Sequence, residues 1–87
     1  MRMIEIAEKA RDAAALLTGL KVDVVSKVEH RDGSWVALVD MVEAKARAGE
    51  NDLISTYEVV LDPVGEVTGY QRVARAYRVQ MGAASAA

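Results

Sequence analysis

His30 is the one histidine of the chain, and Asp40 is the acid that interrupts its most apolar run, Trp35 to Val42. A buried carboxylate in a small curved sheet can act as a general base, with Tyr57 or Tyr70 as the electrophile, as in small isomerases. Strand parity opposes that use, because Asp40 alternates out of register with Trp35, Val39 and Met41 and should face solvent. His30 has no cysteine or clustered acids with which to share a metal, and it is better placed to pack on Trp35 across a hairpin. Arg72, Arg75 and Arg78 alternate with Tyr70 and Tyr77. Basic residues mixed with aromatics can bind nucleic acid. On a regular strand, however, Arg72 and Arg78 face away from Arg75. Arg72 is then expected beside Thr56 and diagonal to Glu58, in a cross-strand ion pair worth roughly 0.2–1 kcal/mol. There is no phosphate-binding glycine loop, no Ser-His-Asp set and no zinc-ligand spacing. We therefore expect no catalytic residue, no metal and no cofactor.

These residues must be held by a small framework. The chain has 87 residues, which is one domain, and a domain of this size buries only about 60–65% of its unfolded surface. It lacks cysteine, so packing, with a partner or a second copy, has to supply the stability. The composition is 52% hydrophobic and 28% charged, as in a folded domain. A net charge of −2 gives no general basic excess for nucleic acid. Two acids, Glu5 and Glu8, stand where a signal peptide would need an unbroken apolar stretch, and no run approaches the roughly 20 residues of a membrane span. A cytoplasmic protein is expected.

Residues 2–18 predict an amphipathic helix, with Met3, Ile6, Ala7, Ala10, Ala13, Ala14 and Leu17 in one stripe and Gly19 as its left-handed end. Period-two patterning follows at 21–31 and 34–43, joined by the hairpin signal Asp32-Gly33. That hairpin pairs Arg31 with Ser34 and His30 with Trp35, and sets Val28, Ser26 and Val24 against Ala37, Val39 and Met41. Val22, Val24, Val28, Trp35, Val39 and Met41 then form the core side. The polar stretch 45–52 is a loop. Residues 53–61 make a third strand, with Leu53, Tyr57, Val59 and Leu61 on one face. Asp62-Pro63-Val64-Gly65 predicts a type I turn. Residues 66–79 return as a long, bulged strand, with Val67, Val73, Tyr77 and Val79 inward, and 81–87 should fray. The expected fold is α+β, one N-terminal helix packed on a four-stranded antiparallel β-meander, as a single domain over 1–80.

One helix covers one face of such a sheet. The other is expected to present Val25, Val36, Leu38, Val42, Ile54, Val60 and Tyr70, broken by Lys27, Glu29, Asp40, Thr56, Glu58 and Arg72. Valine and isoleucine are also simply good strand formers. A face this apolar nevertheless points to a protein partner or a homodimer. The candidate partner-binding residues are Val36, Leu38, Asp40, Val42, Ile54, Glu58, Val60, Tyr70 and Arg72. Unpaired edge backbone can also accept a partner strand.

The run from Asp52 through Tyr57-Glu58-Val59, Leu61-Asp62, Gly65 and Gly69-Tyr70-Gln71-Arg72 resembles the signature of the gas vesicle protein O family. Leu17-Thr18-Gly19 after an alanine-rich helix, Trp35 and Glu43 fit the same pattern, which covers roughly residues 14–78. The chain departs from it in having no proline in 45–51 and in Ala76 separating Arg75 from Tyr77. The resemblance implies an accessory protein needed to form gas vesicles, the hollow protein-walled compartments that give cells buoyancy. It implies contact with the shell protein or with other accessory proteins, and it brings no catalytic residues. The alternatives are a small curved-sheet ligand-binding or isomerase-like domain and a structural homodimer.

Overall fold

The structure, a computed structural model, describes residues 2–45 and 51–78. The expected strand end at Val79, the tail 81–87 and the middle of the 45–52 loop lie outside these residues. Helix α1 spans Met3–Thr18. Strands β1 (Lys21–Arg31), β2 (Ser34–Ala44), β3 (Leu53–Leu61) and β4 (Val67–Tyr77) form one antiparallel sheet in the order β1-β2-β3-β4. This is the predicted α+β meander.

Each junction has a local cause. The Glu5 carboxylate accepts the Arg2 N–H at 3.2 Å, which satisfies a free donor in the first turn of α1 and sets an acid at its positive end. Gly19 ends the helix at φ 72°, a left-handed conformation, and its N–H reaches Ala15 O at 2.9 Å. Asp32 and Gly33 have φ of 49° and 79°, the two positive values of a type I′ turn, whose twist matches that of the strands. The predicted ring contact of His30 with Trp35 forms, with centroids 4.6 Å apart. In the β3–β4 turn, Gly65 N–H donates to Asp62 O at 2.9 Å, while Asp62 Oδ1 accepts the N–H groups of Val64 and Glu66 at 3.0 and 2.9 Å.

The core lies between α1 and the sheet. Ile6, Ala10 and Ala14 meet Ala37, Val39, Met41, Val59 and Leu61, all essentially fully buried. The alanines let the helix axis come close to the strands. Met3 and Leu17, at the ends of the predicted stripe, are about half exposed, so burial is confined to the middle turns.

β1 departs from the predicted alternation. Asp23 and Ser26 are extra residues opposite β2, one between the pairs Val22–Met41 and Val24–Asp40, the other between Val25–Val39 and Lys27–Leu38. Each bulge reverses the side on which the following residues emerge. Val25, expected outward, therefore packs on the core, and Val24, expected inward, is 49% exposed. The core residues of β1 are Val22, Val25 and Val28, three apart rather than two.

Ala10 is fully buried in the core between α1 and the sheet. Ala10→Leu should lower stability by about 1–3 kcal/mol, by overpacking beneath α1. Urea unfolding followed by circular dichroism measures this, and an unchanged midpoint would mean that the helix is not seated as described.

Candidate interaction surface

Residues paired directly across an antiparallel sheet emerge on the same side, so the registers assign every strand residue to a face. Four rows cross the face away from α1: Lys21–Val42–Ile54–Ala76, Val24–Asp40–Thr56–Ala74, Lys27–Leu38–Glu58–Gln71 and Glu29–Val36–Val60–Gly69. All the candidate residues on β2 and β3 fall in these rows. Val36, Leu38, Asp40 and Val42 come from β2, and Ile54, Glu58 and Val60 from β3.

This face is less open than expected. Val36, Asp40 and Ile54 are only 8, 7 and 1% exposed, while Leu38, Val42, Glu58 and Val60 are half-buried. Asp40 does not point freely to solvent. It accepts a 2.7 Å hydrogen bond from Thr56 Oγ1, its neighbour in the row. Bulging is one reason for the burial, because it bends strands and increases twist. A second feature closes one end of the face. Arg78 continues the outward parity of Ala74 and Ala76, and its N–H pairs with Asp52 O at 2.8 Å. Its guanidinium grips Asp23 of the opposite edge strand at 3.2 and 3.3 Å and lies 3.6 Å from Asp52. The hydrogen bond to Asp23, then the charges of Asp23 and Asp52, hold the Arg78 guanidinium above its ordinary pKa.

Tyr70 and Arg72 are corrections. Thr68 and Val73 are extra residues on β4, and they turn the stretch between them over. Tyr70 therefore pairs with Val59, and Arg72 with Tyr57, on the helix side of the sheet. The rings of Tyr57 and Tyr70 meet there at 6.2 Å. Arg72 does not pair with Glu58. Its Nη1 lies 3.4 Å from Glu43 Oε1, and Arg75 Nε approaches Glu43 Oε2 at 2.6 Å, an ion pair without the alignment of a hydrogen bond. Arg72 and Arg75 thus share a face, contrary to strict alternation. The spacing Tyr70, Arg72, Arg75, Tyr77, with its single step of three, is the trace of the Val73 bulge in the sequence. Glu43, itself an extra residue on β2 between the pairs Val42–Ile54 and Ala44–Leu53, carried no such trace.

The registers also separate Asp40 from Tyr57 and Tyr70, which lie on opposite sides of the sheet. The base-and-electrophile arrangement of an isomerase-like site is not formed. Two open depressions flank β4, one of about 260 Å³ lined by Glu58, Val60, Gly69, Tyr70 and Gln71, the other of about 350 Å³ lined by Leu53, Arg75, Ala76 and Tyr77. Among the described residues no group of three or more histidines or acids could hold a metal ion, and no helix is long and apolar enough to cross a membrane.

The family model described as gas vesicle synthesis protein GvpO matches residues 1–82. The chain belongs to the gas vesicle protein O family. It is 37% identical over 73 residues to gas vesicle protein O1 of Halobacterium salinarum, covering 84% of this chain and 61% of the relative. It is 36% identical over 74 residues to gas vesicle protein O of Haloferax mediterranei, covering 84% and 53%. A third relative, gas vesicle protein O of a Streptomyces species, is 38% identical over 61 residues, covering 70% and 48%. The chain thus spans about half to three-fifths of the length of these curated relatives. No solved structure gave a significant match.

The Asp40–Thr56 bond is the polar centre of the outer face, and it sets a test. Thr56→Val should cost about 1–3 kcal/mol, because it strands a buried carboxylate without its donor. Adding Asp40→Leu should recover most of that loss. Denaturant unfolding of the single and double variants reads both effects, and independent, additive losses would contradict the pairing.

Proposed function

We propose that this protein acts in gas vesicle formation as a non-catalytic accessory, binding other vesicle proteins through the outer face of β2 and β3. Membership of the gas vesicle protein O family supports the pathway. The observation that carries the binding surface is the set of outer rows that α1 leaves uncovered, in which Leu38, Val42 and Val60 keep part of their surface exposed around the hydrogen-bonded Asp40–Thr56 pair. Apolar side chains in a fixed, twisted sheet, with Glu58 among them, make a surface that a protein partner can desolvate. The partners in this reading are the vesicle shell protein or other accessory proteins. The place of action is the cytoplasm, on vesicles or their assembly intermediates.

The test uses a host without vesicles, carrying a complete vesicle gene set with this chain, without it, or with Leu38→Glu or Val60→Glu. Vesicles are counted by electron microscopy. Omission should abolish vesicles, and each variant should do the same while keeping the wild-type circular dichroism spectrum. Normal vesicles with a well-folded variant would remove this face as the binding site. Normal vesicles without the chain would remove the assembly role. A mass that doubles with concentration, and is lost in Leu38→Glu, would assign the face to a second copy instead.

A further inference from the structure

The helix side of the sheet is covered over β1, β2 and most of β3, and it is open along β4. Helix α1 packs on β1, β2 and β3 and has slight contact with β4. Beside it, the helix-facing residues of β4 are Tyr70, Arg72, Arg75 and Tyr77, with Tyr57 and Leu53 of β3 next to them. Tyr70 and Tyr77 are 44 and 48% exposed. All three tyrosines of the chain therefore lie on this strip, together with two arginines. Tyrosine and arginine are the residue types that dominate binding hot spots.

The dimensions and the charge identify the occupant. The strip follows β4, with Leu53 and Tyr57 of β3 at its margin, and one side of it is walled by α1. From Tyr70 to Tyr77 it runs opposite Val59 to Leu53, about 20 Å, the length of roughly 13 helical residues. Arg72 and Arg75 share a single internal carboxylate, Glu43. The strip thus holds a surplus positive charge in a protein of net charge −2. Ser55, in the same row as Arg75, keeps a fully buried hydroxyl with no hydrogen-bond partner among the described residues.

We propose that this strip is the seat of an acidic amphipathic helix from a partner protein, lying alongside α1 as a second helix of the layer. Its apolar stripe packs on Tyr57, Tyr70 and Tyr77, and its flanking carboxylates meet Arg72 and Arg75. The site is distinct from the outer face, and its test does not depend on the vesicle role.

The probes are two synthetic 16-residue amphipathic helices with one leucine stripe, the first with glutamate on its polar positions and the second with lysine. Each is titrated into the isotope-labelled full chain and followed by amide chemical shifts. The glutamate peptide should bind, with shifts at residues 53–57 and 70–77 and on the neighbouring side of α1, and the lysine peptide should bind at least about tenfold more weakly. Arg72→Gln with Arg75→Gln should weaken the glutamate peptide about tenfold. Glu43→Gln, which frees both guanidinium groups, should strengthen it several-fold, and Tyr70→Ser gives a check that leaves the ion pairs intact and should also weaken it. No binding of the glutamate peptide, equal binding of both peptides, or shifts on the Leu38–Val60 face would overturn the proposal. So would tighter binding of a thymidine 15-mer than of the glutamate peptide, which would make the strip a nucleic-acid platform.

Discussion

A single helix about 10 Å across cannot cover four strands, which span some 19 Å. Most of this structure follows from that mismatch. The helix-facing side chains of β1 and β2 are core: Val22, Val25, Val28, Trp35, Ala37, Val39 and Met41. Those of β4 beyond Val67 are not, and there the side chains change from aliphatic to tyrosine and arginine. Among the described residues the face away from the helix carries no second layer of helix or strand. It remains aliphatic along β2 and β3, and it reduces its exposure by twisting and by the Arg78 tie. Among the described residues the sheet thus has two surfaces beyond the reach of α1, one largely aliphatic and one aromatic and cationic.

The alternation rule worked where the sheet enforces it. β2 and β3 are paired on both sides over most of their length, so an extra residue there would disturb two ladders at once, and the one that occurs, Glu43, lies past the last β1–β2 pair. Their faces could be read from the sequence, as could the helix, the Asp32-Gly33 hairpin, the Asp62 turn and the meander order. β1 and β4 are edges, where a bulge disturbs only one ladder. Extra residues at Asp23, Ser26, Thr68 and Val73 moved Val25, Tyr70 and Arg72 to the side opposite that given by strict alternation. The same bulges argue against simple addition of a partner strand, because they interrupt the flat row of donors and acceptors that such pairing needs. The three-residue steps Val22-Val25-Val28 and Arg72-Arg75 were visible in the sequence. They lacked meaning there because an apolar or basic residue off the alternation looks the same as a surface substitution.

Electrostatics follow the same geometry. The arginines of the C-terminal segment divide between the two faces: Arg72 and Arg75 hold Glu43 on the helix side, and Arg78 holds Asp23 and Asp52 at the end of the outer face. Exposed ion pairs of this kind contribute little to stability, about 0–1 kcal/mol each. Their value is positional. Arg78 joins the first and last strands of an open sheet, a link that hydrogen bonding along the meander cannot make. Asp40 differs, because burial makes its carboxylate costly unless a donor meets it, and Thr56 is that donor.

A domain that leaves two surfaces unpaired has a thin core and little stability in reserve. Any partner that binds only the folded state adds to that stability in proportion to the logarithm of one plus its free concentration divided by its Kd. Occupation of the aliphatic face and occupation of the aromatic strip would each stabilise the same sheet, since β3 contributes to both through alternate residues: Glu58 and Val60 outward, Tyr57 and Val59 inward. Ligands on the two surfaces couple to the extent that the first orders β3, because the second then meets a strand already ordered. On the proposed reading, such coupling would be a physical basis for acting at a junction between components rather than on any one of them.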